Sequence, residues 1–186
     1  MAGFRSSIAA LLVPIARPAT PMHPAALDPA ALLKQTRETR TKRSGPGGQH
    51  RNKTETAVIL LHMPTGIAAE ASERRSQAEN RVVALKRLRL ELALKHRTPA
   101  SPSGPTALWR SRIRGRQLVI SASHEDYPCL VAEALDRLQT TGWQVSPAAE
   151  ILGVTTSQII GLFRKCPAAW VAVNKHRAAL GLPALK

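Results

Sequence analysis

Residues 28–186 predict an α+β fold: a small mixed sheet packed by one long helix, then a small all-α unit resembling a helix-turn-helix. Three observations point there. A β-branched and aliphatic run, Thr56 to His62, is followed by a Pro-Thr-Gly turn and a second short run. Residues 72–95 then carry apolar side chains at helical spacing. Beyond residue 127, cap residues and first-turn prolines open one short helix after another.

Taken in order, Asp28-Pro29 begins a short helix over residues 29–35, because Asp caps and Pro suits the first helical position. Thr36 to Lys42 alternates threonines with charged residues, a polar strand. After the Thr56–His62 strand, Pro64-Thr65-Gly66 turns the chain, with Gly supplying positive φ, and Ile67 to Ala71 returns. Ser72 is expected to cap the long helix, which runs to about Lys95. Its expected stripe is Val82, Leu85, Leu88 and Leu92, and the other faces carry Arg74, Arg75, Arg81, Lys86, Arg87 and Arg89.

Thr98 to Thr106 is rich in Pro, Ser and Gly and reads as linker. Trp109 to Arg116 is basic with one aromatic, and Gln117 to Ser121 reads as a short strand. An amphipathic helix over residues 128–140 buries Leu130, Val131, Ala134, Leu135 and Leu138, and Gly142-Trp143 ends it. Ser146-Pro147 opens the next helix, Gly153-Val154 turns, and Thr155 with Gln158 forms a capping box for a helix carrying Ile159, Ile160, Leu162 and Phe163. Pro167 opens the last helix and Gly181 ends it. Ala148 to Ile160 has helix-turn-helix character. The domain reading is a disordered, targeting or upstream segment (residues 1–27), an α+β unit (28–97), a linker (98–123) and a helical unit (124–186).

Of 186 residues, 27 are Lys or Arg and 12 are Asp or Glu, a net charge of +15. Such an excess repels itself unless a polyanion offsets it, and nucleic acid is the usual partner. Cys129 and Cys166 are the only cysteines, with neither metal spacing nor a disulfide framework, so both read as small buried apolar residues. No metal or organic cofactor is implied, and no apolar run reaches the length of a membrane span. Residues 1–27 fit a weak transit peptide, a poor signal peptide, or upstream sequence before a start at Met22.

The chemistry concentrates in Ser44-Gly45-Pro46-Gly47-Gly48-Gln49-His50-Arg51-Asn52-Lys53-Thr54. Three glycines and a proline keep regular structure out, and the loop offers backbone N–H groups and one amide to a charged partner. It holds no strong nucleophile, which points to a positioned water and backbone donors. Arg43, Arg51 and Lys53 suit phosphates, and Asn52 suits a sugar or phosphate oxygen.

This string resembles the GGQ domain of class I peptide chain release factors and of the short GGQ ribosome-rescue proteins. The likeness extends through Thr56-Ala57-Val58, His62 to Ile67, Ala69-Glu70-Ala71, Glu73 to Gln77 and Asn80, over about residues 36–97. It implies a peptidyl-tRNA hydrolase. The Gln49 N–H would bond the transition state, the Gln49 side chain would position water, and Gly47 and Gly48 would permit close approach. RNA contacts are implied for Arg43, His50, Arg51, Asn52, Lys53, Arg74 and Arg75. The implied partners are the large-subunit peptidyl transferase centre of the ribosome, the acceptor end of peptidyl-tRNA, and rRNA. Pro46 looks more like the rescue members, and Arg51 departs from the apolar residue common in decoding factors. About 40 residues precede the motif, so no stop-codon-reading domain and no codon specificity are expected. A cytoplasmic monomer is expected, or a mitochondrial protein if residues 1–21 are a transit peptide.

Elsewhere, His62 is expected to bond locally, and Glu70 and Glu73 to pair with Arg74 or Arg75. Trp143 and Trp170 read as core. Arg164, Lys165, Lys175, His176 and Arg177 give the helical unit a basic side. That unit reads as an RNA- or ribosome-binding helix-turn-helix, a structural cap, or a DNA binder. The alternatives for the whole chain are a non-catalytic ribosome- or RNA-binding factor and a DNA-binding regulator.

Overall fold

The computed structural model describes residues 22–41, 57–101 and 103–186. A 3₁₀ turn, Pro24–Ala26, leads to helix α1, Pro29–Lys34. The Asp28 carboxylate accepts from the Ala30 and Ala31 amides, as its position before Pro29 predicts. Strands β1 (Thr36–Thr41), β2 (Ala57–His62) and β3 (Ile67–Ala71) follow in that spatial order. Both pairings are antiparallel, so the expectation of a mixed sheet is corrected. A parallel neighbour needs a long crossover, and the turn between β2 and β3 is too short for one. Gly66 takes φ +69° in that turn, a conformation that excludes most side chains. Polar β1 forms an edge, while β2 buries Val58 and Leu60.

The long helix α2 spans Gln77–Lys95. It starts later than expected: Ser76, not Ser72, stands before it, and makes no side-chain cap bond. Residues 72–76 are a connection instead, with its Ser72 amide bonded to Glu73 Oε2. The expected stripe is also rotated. Val82 is 56% exposed, and Ala84, Leu88, Leu92 and Ala93 face the core together with Asn80 and Arg89. Arg89, expected on the solvent side, is buried, donating to Ala25 O and to Cys129 Sγ. The reason is that α2 is covered on two sides, by the sheet and by a later helix, so one stripe does not describe its buried surface.

The stretch read as linker carries structure. Helix α3 (Ala107–Ser111) precedes a two-stranded ladder, β4 (Ile113–Arg114) with β5 (Gln117–Leu118). Trp109 is fully buried and donates its Nε1–H to Leu152 O at 2.9 Å. Residues 98–106 are fastened to helix α4 (Tyr127–Thr140). Thr98 bonds Asp136 through amide and hydroxyl, and Thr106 bonds Glu133 in the same way. Burial pushes the Glu133 carboxyl above its ordinary range, and the Thr106 bonds oppose that shift.

Helices α5 (Val145–Ile151), α6 (Thr156–Arg164) and α7 (Pro167–Ala179) complete the chain. Helix α5 starts ahead of Ser146, after Gln144, because Gly142 and Trp143 both take positive φ and turn the chain directly into it. Thr155 caps α6 through the Gln158 amide. The Gln158 side chain does not complete the box, and instead accepts from the Leu118 amide. All the apolar residues expected from α4 are buried. A single apolar cluster joins Leu60 of the sheet, Leu88 and Leu92 of α2, Trp109, Leu135 of α4 and Phe163 of α6. Each such side chain contributes about 1.5–3 kcal/mol on burial. Among the described residues no helix is long and apolar enough to cross a membrane.

Candidate functional site

The candidate catalytic residues Gly47, Gly48 and Gln49, and the candidate RNA contacts Arg43, His50, Arg51, Asn52 and Lys53, lie outside the described residues. The structure describes what holds both ends of their segment. Thr41 and Ala57 face each other at the end of the β1–β2 ladder. In the neighbouring ladder Val58 pairs with Ala71, so β3 finishes at that same end of the sheet. Beyond Ala71 come Arg74 and Arg75, both exposed and without an ion pair among the described residues. The sheet therefore brings the two ends of the motif segment and this arginine pair to one edge of the molecule.

Asn80 secures that edge. Its side chain is fully buried, its Oδ1 accepts from the Arg74 amide at 2.9 Å, and its Nδ2 donates to Arg74 O at 3.0 Å. One amide clamps both sides of a single residue's backbone, which an apolar residue cannot do. The sequence held a sign of this role: a polar residue at a position where α2 turns inward. Glu73 pairs with Arg87 at 2.7 Å rather than with Arg74 or Arg75, and Arg87 also donates to Glu70 O. The bond from the Ser72 amide, with Arg87 beside it, holds the Glu73 carboxyl below its ordinary range. Arg87 is engaged there and Arg81 is paired to Glu38, while Arg74 and Arg75 have no carboxylate partner among the described residues.

His62 bonds locally, as expected, linking Nδ1 to Thr65 Oγ1 and Nε2 to Gln35 Oε1. Burial, with His96 nearby, lowers its pKa and favours the neutral ring. Cys129 and Cys166 are buried and free. Burial pushes the Cys129 thiol up, which suits an unreactive packing role.

Of the basic side expected on the helical unit, Arg164, Lys165, Lys175 and His176 are exposed and Arg177 is not. Arg177 is buried, donating to Trp143 O and Pro183 O. His176 stacks on Trp143 with ring centroids 4.1 Å apart, and burial lowers its pKa. Arg164 lies over the Trp170 ring, and Lys165 donates to Ile120 O at 2.6 Å. Trp143 is core, while Trp170 is half-buried.

Against known proteins, residues 32–116 match the RF-1 domain. Over these residues the chain is peptide chain release factor-like. A "Peptide chain release factor 1-like, mitochondrial" protein of Mus musculus is 53% identical over 57 residues, covering 30% of this chain and 15% of that protein. "Peptide chain release factor 1" of Verminephrobacter eiseniae is 45% identical over 78 residues, 42% of this chain and 21% of its own length. The namesake from Acidiphilium cryptum is 52% identical over 58 residues, 31% of this chain and 16% of the other. The chain thus spans about a fifth or less of the release factors it resembles. The matched region takes in the sheet, α2, α3 and the start of the β4–β5 hairpin, and it stops short of α4 to α7.

Proposed function

We propose that this release factor-like chain hydrolyses the ester of peptidyl-tRNA on the ribosome without reading a stop codon, as a ribosome-rescue factor. One observation carries the reading. The Gly47-Gly48-Gln49 segment departs from and returns to adjacent strand ends, Thr41 and Ala57, at the sheet end that presents Arg74 and Arg75. The RF-1 match over residues 32–116 supports it. In this reading residues 28–97 form the catalytic unit, 98–123 connect it, and 124–186 form the helical unit.

Water attacks the ester carbonyl carbon, the bond to the tRNA 3′ oxygen breaks, and a proton passes to that oxygen. Stabilising the oxyanion and the leaving oxygen requires donors in place, and the Gln49 N–H supplies one. A preorganised donor of this kind is worth on the order of 10²–10³ in rate. The Gln49 side chain orients the water, Gly47 and Gly48 let the backbone approach, and Arg43, His50, Arg51, Asn52, Lys53, Arg74 and Arg75 hold tRNA and rRNA. The protein acts as a monomer in the cytoplasm.

The test is peptide release from ribosomes carrying labelled peptidyl-tRNA with an empty A site, a sense codon or a stop codon. Release without codon preference, lost in Gly48→Ala, is the expected result. Release only at stop codons overturns the rescue reading. Binding without release in every state overturns hydrolysis and leaves a non-catalytic ribosome-associated factor.

A further inference from the structure

A second basic surface lies outside the motif segment, on the hairpin beside α6. Residues 107–120 contain Arg110, Arg112, Arg114 and Arg116 and no acid. Arg110, Arg114 and Arg116 are exposed, and none of them pairs with a carboxylate among the described residues. Arg110 and Arg114 are steadied by backbone carbonyls, Arg110 on Pro105 O and Arg114 on Ser111 O and Ile113 O. Gly115, at φ +61°, makes the tight tip between Arg114 and Arg116.

Beside this hairpin runs an open groove of about 500 Å³ between residues 117–121 and α6. Arg112, Gln117, Ser121, His124, Gln158 and Lys165 line it. Arg112 and Lys165 are the cations in its wall. His124 Nδ1 accepts the Asp126 amide at 3.1 Å. His124 Nε2 lies 3.3 Å from Arg112 Nη2, within hydrogen-bonding distance, and Nδ1 lies 3.6 Å from Asp126 Oδ2. Arg112 Nε is buried with no hydrogen-bond partner. The acids nearby are Asp126, which pairs with Arg112, and exposed Glu125. An oxyanion entering this groove would meet the Arg112 guanidinium and the Lys165 ammonium in its lining.

Arg89 of α2 meets Cys129 of α4, and farther along Arg97 and Thr98 meet Asp136, so the two helices run the same way. The first turn of α4, to which Arg112 and Asp126 tie the hairpin, meets α2 at Arg89, midway along that helix.

We propose that the arginine hairpin and its groove form a second RNA-binding site, with Arg112 and His124 holding a backbone phosphate and Arg110, Arg114 and Arg116 meeting its neighbours. The Gln117, Ser121 and Gln158 side chains can bond ribose hydroxyls, which favours RNA over DNA.

The test is fluorescence anisotropy of the full chain with a short polyuridine strand and the matching thymidine strand, over a salt series. Arg114→Gln/Arg116→Gln removes two cations from the hairpin. Lys34→Gln/Lys86→Gln removes the same charge elsewhere. The hairpin variant is expected to bind polyuridine roughly tenfold more weakly at low salt. Its slope of log K against log salt should fall by about 1.4, for two lost single-strand phosphate contacts. His124→Asn keeps an acceptor for the Asp126 amide and is expected to weaken binding by roughly threefold with the fold unchanged by near-UV circular dichroism. An unchanged slope in the hairpin variant, an equal loss in the lysine control, or tighter binding to thymidine each overturns the proposal. The measurement involves neither ribosome nor ester, so it stands or falls apart from the hydrolase reading.

Discussion

In the sheet-and-helix region, Arg74 and Arg75 stand exposed at the edge that anchors the motif segment, held there by the buried Asn80 amide. In the helical region, Arg137 and Arg177 are buried, Arg137 donating to Ser101 O and Arg177 to Trp143 O and Pro183 O. Both regions are basic in sequence, yet only the first matches the RF-1 domain. Net charge therefore does not locate a binding surface. What matters is where each cation sits: the last helix buries Arg177 and exposes Lys175, while the hairpin exposes Arg114 and Arg116.

Four measurements would break or sharpen this contrast. The largest effect is expected from Gly48→Ala, which should lower peptide release by about 10²–10³ with the melting temperature unmoved. A large loss of stability instead would make this glycine structural. Trp109→Ala should come next. Removing a fully buried indole costs about 3–5 kcal/mol. Denaturant unfolding should remain one transition, since Trp109 lies in the cluster that joins the two regions; two separate transitions would show independent units. Asn80→Ala should cost about 1–3 kcal/mol, by orphaning the Arg74 amide and carbonyl. It should also weaken RNA binding, whereas an equally destabilising core variant away from this edge should not. Val82→Ser, on the exposed side of α2, should change stability by no more than about 0.5 kcal/mol. A larger cost would restore the stripe expected from the sequence.

A pH series probes His23 and His62. Burial lowers both pKa values, so the folded state binds fewer protons than the unfolded chain. Their contribution is constant above the unfolded value of about 6.5 and is lost as pH falls below it. The urea midpoint should drop on acidification from neutral pH, and drop less in His62→Gln.

Much of the fold was legible locally. Asp28-Pro29, the β2 run, the Gly66 turn, the Thr155 cap and the Pro167 start each act within a few residues, and each stands where its chemistry places it. Legibility failed where two layers meet one element. Helix α2 is packed by the sheet on one side and α4 on another, so Arg89 is inside and Val82 outside. The 98–106 stretch has linker composition, but Asp136 and Glu133 tie it down from thirty or so residues away in the chain.

The sequence by itself determined the α+β class and the motif Gly47-Gly48-Gln49 with its flanking cations, because glycine, proline and cap preferences and motif spacing are local properties of the chain. Tertiary structure alone decided that the motif's anchors share an edge with Arg74 and Arg75. It also decided that Arg177 is a strut, and that Arg110, Arg114 and Arg116 are exposed while Arg112 pairs with Asp126 beside a groove. Strand register and helix packing set those distances, and they depend on partners far apart in sequence.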